Sequence, residues 1–390
     1  MKKHIYGSVL FLLIFLTACN AKKVGRPLGF EIKTGADNTE AYLPLLRGKK
    51  VGIVTNQTGI LSNKTHLVDF LLSKNIKIQT IFAPEHGFRG TADAGEHVID
   101  GKDAKTGLPI ISLYGDNRKP KLAQLAEIDI VVFDLQDVGL RFYTYISTLH
   151  YVMEACAENN IPLLILDRPN PNGNIVDGPI LEKDYTSFVG MHPIPVLYGM
   201  TIGEYGKMIN GEKWLQNGVQ CKLTVIPCVS YNRKMSYRLP VKPSPNLPND
   251  QSINLYASLC FFEGTNVSVG RGTEKQFQIY GSPFLPKSDF SFVPHPNFGA
   301  KEPMHKDQIC YGEDLSAVPK VSQLELKWLI KAYKETSDKS KFFNSFFAKL
   351  AGTKQLQQQI EAGASEKEIR KSWDKGLNAF REIREKYLIY

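Results

Sequence analysis

Residues 76–90 read Ile76-Lys77-Ile78-Gln79-Thr80-Ile81-Phe82-Ala83-Pro84-Glu85-His86-Gly87-Phe88-Arg89-Gly90. The first part is apolar and β-branched, the composition of a strand, and Pro84 stops it. A carboxylate, an imidazole and a guanidinium follow within five residues, with Gly87 and Gly90 leaving the backbone free to turn. Open α/β sheets bind ligands at the carboxyl ends of their strands, and a polar cluster ending a buried strand fits that place. Taken alone, the stretch reads equally well as a solvated polar turn. The neighbouring segments decide.

Upstream, Lys50 to Thr55 reads as a strand closed by Asn56-Gln57, and 65–72 has helical spacing. Downstream, strands are expected at 110–114, 128–135 and 161–166, with helices at 122–127 and 143–159 between them. Strand–helix alternation predicts a parallel sheet with helices on both faces, a Rossmann-like doubly wound domain over 45–183. The near-continuous apolar runs at 128–135 and 161–166 agree, since such strands are buried on both sides. Every strand ends in polar residues. Asn56 follows the first, Glu85, His86 and Arg89 the second, and Tyr114 and Asp116 the third. Asp134, Gln136, Asp137, Arg141 and Tyr143 follow the fourth, and Asp167, Arg168 and Asn170 the fifth. In a parallel sheet these ends share one edge, so five in succession predict a ligand crevice.

From about Asp184 the texture changes. Proline and glycine become frequent and the alternation stops, which predicts a smaller α+β domain over 184–390 that completes the cleft. Thr201 to Asn210 carries a capping box, Thr201 with Glu204. Val219 to Val229 reads as a strand, 243–248 as a rigid proline-rich loop, and 322–336, 341–350 and 366–387 as amphipathic helices.

The chain has 390 residues, and its 48 basic and 39 acidic residues give a net charge of +9. That excess is spread along the chain and weakly favours anionic partners. No helix-turn-helix, zinc-knuckle or RNP-type pattern is present, so nucleic acid is not expected as a partner. Residues 1–18 read as a secretory signal of the lipoprotein type: Lys2 and Lys3, an apolar run, then Leu16-Thr17-Ala18-Cys19. Cys19 would become the lipidated N-terminus, with 19–44 as a tether. Asn20, not Asp, follows it, which favours the outer over the inner membrane of a two-membrane envelope and a protein facing the periplasm. The remaining cysteines, at 156, 221, 228, 260 and 310, are odd in number and lack a Cys-x-x-Cys pair. They are expected as buried thiols with at most a disulfide or two.

Among candidates for chemistry, Glu85 comes first. A partly desolvated carboxyl group can stay protonated and act as a general acid. Its structural alternative is an ion pair with Arg89. Asp134 and Asp137 would supply a second carboxylate, as most glycoside hydrolysis requires, or Asp134 merely holds its loop through Arg141. Glu263, Asn266 and the stretch Gly264 to Thr273 suggest an anion-binding nest with Arg271 as a forked donor, or a plain turn pair. No histidines are spaced as metal ligands, and no Gly-x-Ser-x-Gly elbow occurs.

Seven segments in order are together specific. They are Val54-Thr55-Asn56-Gln57-Thr58-Gly59, Pro84 to Gly90, Ser112-Leu113-Tyr114-Gly115 and Phe133 to Tyr145. Asp167-Arg168-Pro169-Asn170-Pro171, Pro243-Ser244-Pro245-Asn246 and Glu263 to Thr273 complete them. Over about 45–390 the chain resembles the exo-β-N-acetylmuramidases of the NamZ type. The resemblance implies a Rossmann-like catalytic domain, a smaller C-terminal domain and a cleft between them. It also implies release of terminal N-acetylmuramic acid from non-reducing ends of peptidoglycan fragments, without cofactor or metal. The family's motif glutamate falls on Glu85. Asp134 or Asp137 would then act as base or nucleophile, or orient the sugar's own 2-acetamido group. Asn56, His86, Arg89, Tyr114, Arg141, Tyr143, Asp167, Asn246, Glu263 and Arg271 would contact substrate. The partners implied are muropeptides or disaccharides, and the membrane through Cys19. Two competing readings are a metal-dependent amidase or phosphatase using His86, Asp134, Asp137 and Asp167, and a lipoprotein that binds muropeptides without turnover.

Overall fold

The computed structural model describes residues 31–89 and 100–390. In chain order the first strands are β1 (Lys50–Thr55), β2 (Lys77–Ala83), β3 (Gly101–Lys102), β4 (Pro109–Ser112), β5 (Ile130–Asp134) and β6 (Leu163–Leu166). Two short strands, β7 (Val176–Asp177) and β8 (Leu197–Tyr198), pair with each other. Then β9 (Leu223–Ile226) returns to the main sheet beside β6. The seven-stranded order is β3-β4-β2-β1-β5-β6-β9, parallel except where β3 meets β4. The expected α/β architecture is therefore present. The sheet runs past residue 183, and its seventh strand, β9, lies within the strand expected at 219–229. The connection from β6 to β9 is long and rich in proline and glycine, so the alternation does not show that this strand joins the main sheet.

Successive residues of a strand point to opposite faces. Val51, Ile53, Ile130, Val132, Leu164 and Leu166 enter one core, with the helix Leu67–Ser73. Val54, Val131, Phe133, Leu163 and Ile165 enter the other, with the helix Tyr145–Glu158. Both faces are dry, so these strands must be apolar throughout. That is why β5 and β6 are legible as unbroken apolar runs. Each fully buried aliphatic side chain contributes roughly 1.5–3 kcal/mol.

The segment expected as a tether, 19–44, is packed from residue 32 onward. Lys33 and Val229 exchange backbone hydrogen bonds at 3.0 and 2.8 Å, and the Gly35 amide donates to the Asp167 carbonyl at 2.7 Å. A helix, Thr39–Leu46, follows and buries Tyr42 and Leu46. It is two turns long with Pro44 inside, too short and interrupted for its periodicity to show. Residues 1–30, with the expected signal segment and Cys19, lie outside the described residues. Among the described residues no helix is long and apolar enough to cross a membrane.

From Ile32 to Tyr390 the chain forms one compact unit. The capping box at Thr201 is formed, Thr201 Oγ1 accepting from the Glu204 amide at 3.2 Å and Glu204 Oε2 from the Thr201 amide at 2.9 Å. The second half adds an antiparallel sheet of β10 (Ile279–Ser282), β11 (Ser291–Phe292) and β12 (Cys310–Asp314), with β12 central. This half also carries the helices Asp250–Leu259, Lys327–Glu335, Phe347–Ala351, Gln355–Glu361 and Glu366–Glu385, the last of which packs against β7. The five described cysteines are all buried free thiols.

Candidate active site

β2 and β4 pair so that Ala83 lies opposite Ser112, and the Leu113 amide extends the ladder to the Ala83 carbonyl at 2.8 Å. Glu85 and Tyr114 each stand two residues past that pair, so they leave the sheet side by side. Pro84 to Gly87 closes as a tight turn, the Gly87 amide donating to the Pro84 carbonyl at 3.0 Å. His86 takes its third position with φ +73°. Turns of this type normally reserve that left-handed position for glycine or asparagine, and a histidine there costs on the order of 1–2 kcal/mol. The surroundings hold it. Phe88 is buried with its ring edge-on to His66 at 5.1 Å, and the Arg89 guanidinium lies 4.3 Å over that ring. Arg89 in turn binds Asp103 at 2.7 and 3.2 Å.

The turn faces a cavity of about 540 Å³. Glu85, His86, Tyr114, Arg118 and Phe142 to Thr144 line it from the strand ends. Asn246, Glu263, Arg271 and Glu302 are among those that line it from the second half. Glu85 is 9% exposed, and Thr144 Oγ1 donates to its Oε2 at 2.6 Å. The Tyr114 hydroxyl also hydrogen-bonds Glu85; burial, then the nearby Glu85 charge and that bond, push the phenol's pKa up. Thr144 is the N-cap of the fourteen-residue helix Tyr145–Glu158. The positive end of a helix favours negative charge close by. Two hydroxyls and a helix terminus are thus arranged to stabilise a carboxylate at Glu85 as its proton departs.

The other expected site residues separate into two groups. Tyr143, Asn246, Glu263 and Arg271 reach the cavity with Glu85, His86 and Tyr114. The Tyr143 hydroxyl donates to the Pro243 carbonyl at 2.7 Å, fixing the proline loop that carries Asn246, whose Nδ2 donates to the Gly299 carbonyl at 2.6 Å. Arg271 Nε donates to Glu263 Oε1 at 2.6 Å, so the anion nest expected at Gly264 to Thr273 already has an internal carboxylate partner.

Asp134, Asp137, Asn56, Arg89, Arg141 and Asp167 do not line the cavity. Asp134 is fully buried in a two-point pair with Arg168, Nε–Oδ1 2.6 Å and Nη2–Oδ2 2.9 Å; its partner is Arg168, not Arg141. Asp137 accepts from the Tyr198 hydroxyl and from the Gly139 amide at 2.7 Å, and burial pushes its pKa up to about 6. Asn56 donates to the Tyr145 hydroxyl at 2.6 Å and accepts from Thr58. Arg141 is wholly buried and donates to the carbonyls of Pro179, Ile194, Leu350 and Ala351 at 2.7–3.0 Å; desolvation lowers its pKa to about 9. It ties the loop after β5 to the helix Phe347–Ala351, whose Leu350 lines the cavity. Asp167 accepts from Thr201 Oγ1 at 2.7 Å, the Gly203 amide at 2.8 Å and the Tyr390 hydroxyl at 2.8 Å, and burial raises its pKa to about 6. A β-carbon on Gly203 would stand 2.7 Å from the Asp167 carboxyl carbon, so glycine is needed for that approach.

Of the five polar strand ends, those of β2, β4 and β5 open into the cavity. Those of β1 and β6 are closed by their own hydrogen bonds. Asp134, Asp137 and Asp167, three of the four residues the metal-dependent reading needs, are committed elsewhere. Among the described residues no three His, Cys, Asp or Glu side chains converge to hold a metal.

Residues 51–251 match the family model described as exo-beta-N-acetylmuramidase NamZ, N-terminal, and residues 254–390 match its C-terminal counterpart. The chain belongs to the NamZ family. A relative named peptidoglycan beta-N-acetylmuramidase NamZ, from Bacillus subtilis (strain 168), is 38% identical over 418 residues, covering 100% of both chains. Two crystal structures of DUF1343 family proteins from Bacteroides fragilis NCTC 9343 share this NamZ architecture. One has 45% identity and a TM-score of 0.86, the other 30% and 0.78. Each covers 92% of this chain and 99% of its own.

The residues of this NamZ cavity that sequence reasoning missed are Arg118, Thr144, Phe188 and Glu302. Arg118 lies four residues past Tyr114, just beyond Asp116, so extending the polar strand end by two positions would have found it. Thr144 is the N-cap of a helix already expected there. Phe188 and Glu302 sit in irregular segments with no local signal.

Proposed function

We propose that this cavity releases terminal N-acetylmuramic acid from the non-reducing ends of peptidoglycan fragments, with Glu85 as general acid. The observation that carries the reading is Glu85 itself: a buried carboxyl group at a strained turn, facing the cavity, with two hydroxyls and a helix N-terminus around it. Glu85 gives its proton to the glycosidic oxygen as the C1–O bond breaks, and the bonding pair leaves with the aglycone. Tyr114 and Thr144 then donate to the carboxylate left behind, a charge that develops only as the reaction proceeds. Glu85 next takes a proton from the water that attacks C1.

The second participant expected was Asp134 or Asp137, and both are closed off from the cavity. Glu263 is held by Arg271, and Glu302, largely exposed, pairs with Lys306 at 3.3 Å. The proposal therefore gives the first attack on C1 to the oxygen of the sugar's own 2-acetamido group, a route that some glycosidases use in place of a second carboxylate. Water then attacks C1 from the opposite face as the C1 bond to the acetamido oxygen breaks and its electron pair returns to the acetamide, so that two inversions at C1 return the β-anomer. Incubation with a chromogenic β-N-acetylmuraminide, with and without EDTA and followed by proton NMR, tests this. Release should be insensitive to EDTA, and the first-formed free sugar should be β. No release would sink the muramidase reading, loss with EDTA would favour the metal route, and α-sugar first would remove acetamido participation.

The lipid anchor at Cys19 and an exported, periplasm-facing location belong to the same proposal, supported by the Leu16-Thr17-Ala18-Cys19 motif. Anchoring would hold the enzyme where muropeptide fragments arise. Cys19→Ala should move the protein from the membrane fraction to the soluble one; an unchanged distribution would argue against lipidation there.

A further inference from the structure

We infer that Arg118 binds the lactyl carboxylate of N-acetylmuramic acid and thereby sets the preference for that sugar over N-acetylglucosamine. The inference rests on the function proposed above. The two sugars differ only in a lactic acid ether on O3, so discrimination requires a cation for the carboxylate and contact for its methyl group. Three carboxylates, Glu85, Glu263 and Glu302, line the cavity and oppose an anion. A guanidinium with an open N–H edge is the group suited to overcome that.

The other arginines expected to contact substrate have partners of their own. Arg271 is paired with Glu263, Arg89 with Asp103, and Arg141 with four carbonyls outside the cavity. Arg118 lines the cavity, is exposed at its mouth, and makes no ion pair among the described residues. Its guanidinium carbon lies 4.6 Å from the centre of the Phe188 ring. Phe188 is itself braced by Tyr114 at 5.9 Å and stacked on Tyr151 at 6.3 Å. This cation–π contact holds the guanidinium at the ring, and its N–H groups can reach a carboxylate. Phe188 and Val189 offer apolar surface to the lactyl methyl.

The placement fits the sugar. Glu85 and Tyr114 leave adjacent parallel strands, which stand about 4.8 Å apart. Arg118 follows Tyr114 on the outer of the two. In a β-muraminide the glycosidic oxygen on C1 and the ether on C3 flank one pyranose ring. A ring with its C1 oxygen at Glu85 can place its O3 substituent on the β4 side, the side that carries Arg118.

The test is kcat/KM for matched chromogenic β-N-acetylmuraminide and β-N-acetylglucosaminide, measured for wild type, Arg118→Gln and Arg118→Lys. Inhibition by free N-acetylmuramic acid and the thermal midpoint are measured alongside. Arg118→Gln should lower kcat/KM for the muraminide about 10- to 100-fold, mostly through KM, the size of a lost charged hydrogen-bond pair. It should leave the glucosaminide rate and the midpoint unchanged, and weaken inhibition in parallel. Arg118→Lys should recover part of the loss. An unchanged ratio between the two sugars in a folded, active Arg118→Gln would overturn the assignment. No turnover of the muraminide by wild type would instead remove the function on which it rests.

Discussion

Glu85→Gln lowers release of N-acetylmuramic acid from a natural disaccharide by about 10³- to 10⁴-fold, the upper part of the range for general acid catalysis. Gln keeps the shape of the side chain and can still accept from Thr144 and Tyr114, so the turn and the cavity survive. It cannot deliver a proton. An aryl glycoside with a good leaving group needs that proton less, so its loss should be smaller, nearer 10²-fold. The contrast between the two substrates, read as kcat/KM, is what distinguishes an acid from a group that merely binds sugar. Equal losses on both would make Glu85 a positioning residue. Full activity would move the chemistry elsewhere in the cavity.

Asp134→Asn gives the opposite pattern, a large loss of stability with little loss of chemistry. Asp134 is fully buried and its two oxygens neutralise Arg168, which also donates to the Ile60 carbonyl at 2.9 Å. Replacing a buried ion pair by apolar groups can be neutral, but removing one partner strands the other charge in the interior and costs about 3–5 kcal/mol. The unfolding midpoint in denaturant should fall accordingly, while turnover per folded molecule stays within about threefold of wild type. A stable but inactive Asp134→Asn would return this residue to the reaction and contradict its place behind the cavity wall.

Asp134 also shows what the sequence could and could not say. Both Asp134 and Glu85 end apolar strands, and both sit among polar neighbours. The register of β2 against β4 puts Glu85 beside Tyr114 at an open edge, while β5 and β6 enclose Asp134 against Arg168. Openness is a property of how neighbouring loops pack, and no local pattern reports it. The strands were legible because two dry faces force continuous apolar runs, and the helix at Thr201 because its capping box is local. The place of β9 in the main sheet and the helix Thr39–Leu46 were not, since one follows an irregular crossover and the other is short. The same limit explains Arg141. It was expected to contact substrate, yet four carbonyls surround it and make it a tie between the two halves of the chain. Arg118 carries the same charge on a segment with no pattern of its own, and its stacking on Phe188 keeps it at the cavity mouth.

Substrate is expected to lie with its scissile bond at Glu85. A crystal structure of the Glu85→Gln protein with an N-acetylmuramic acid–N-acetylglucosamine disaccharide tests it most directly. The glycosidic oxygen should lie within about 2.6–3.2 Å of the residue 85 amide, with the N-acetylmuramic acid ring innermost and its lactyl carboxylate on Arg118. A disaccharide seated with its glycosidic bond away from residue 85, or outside this cavity altogether, would contradict it.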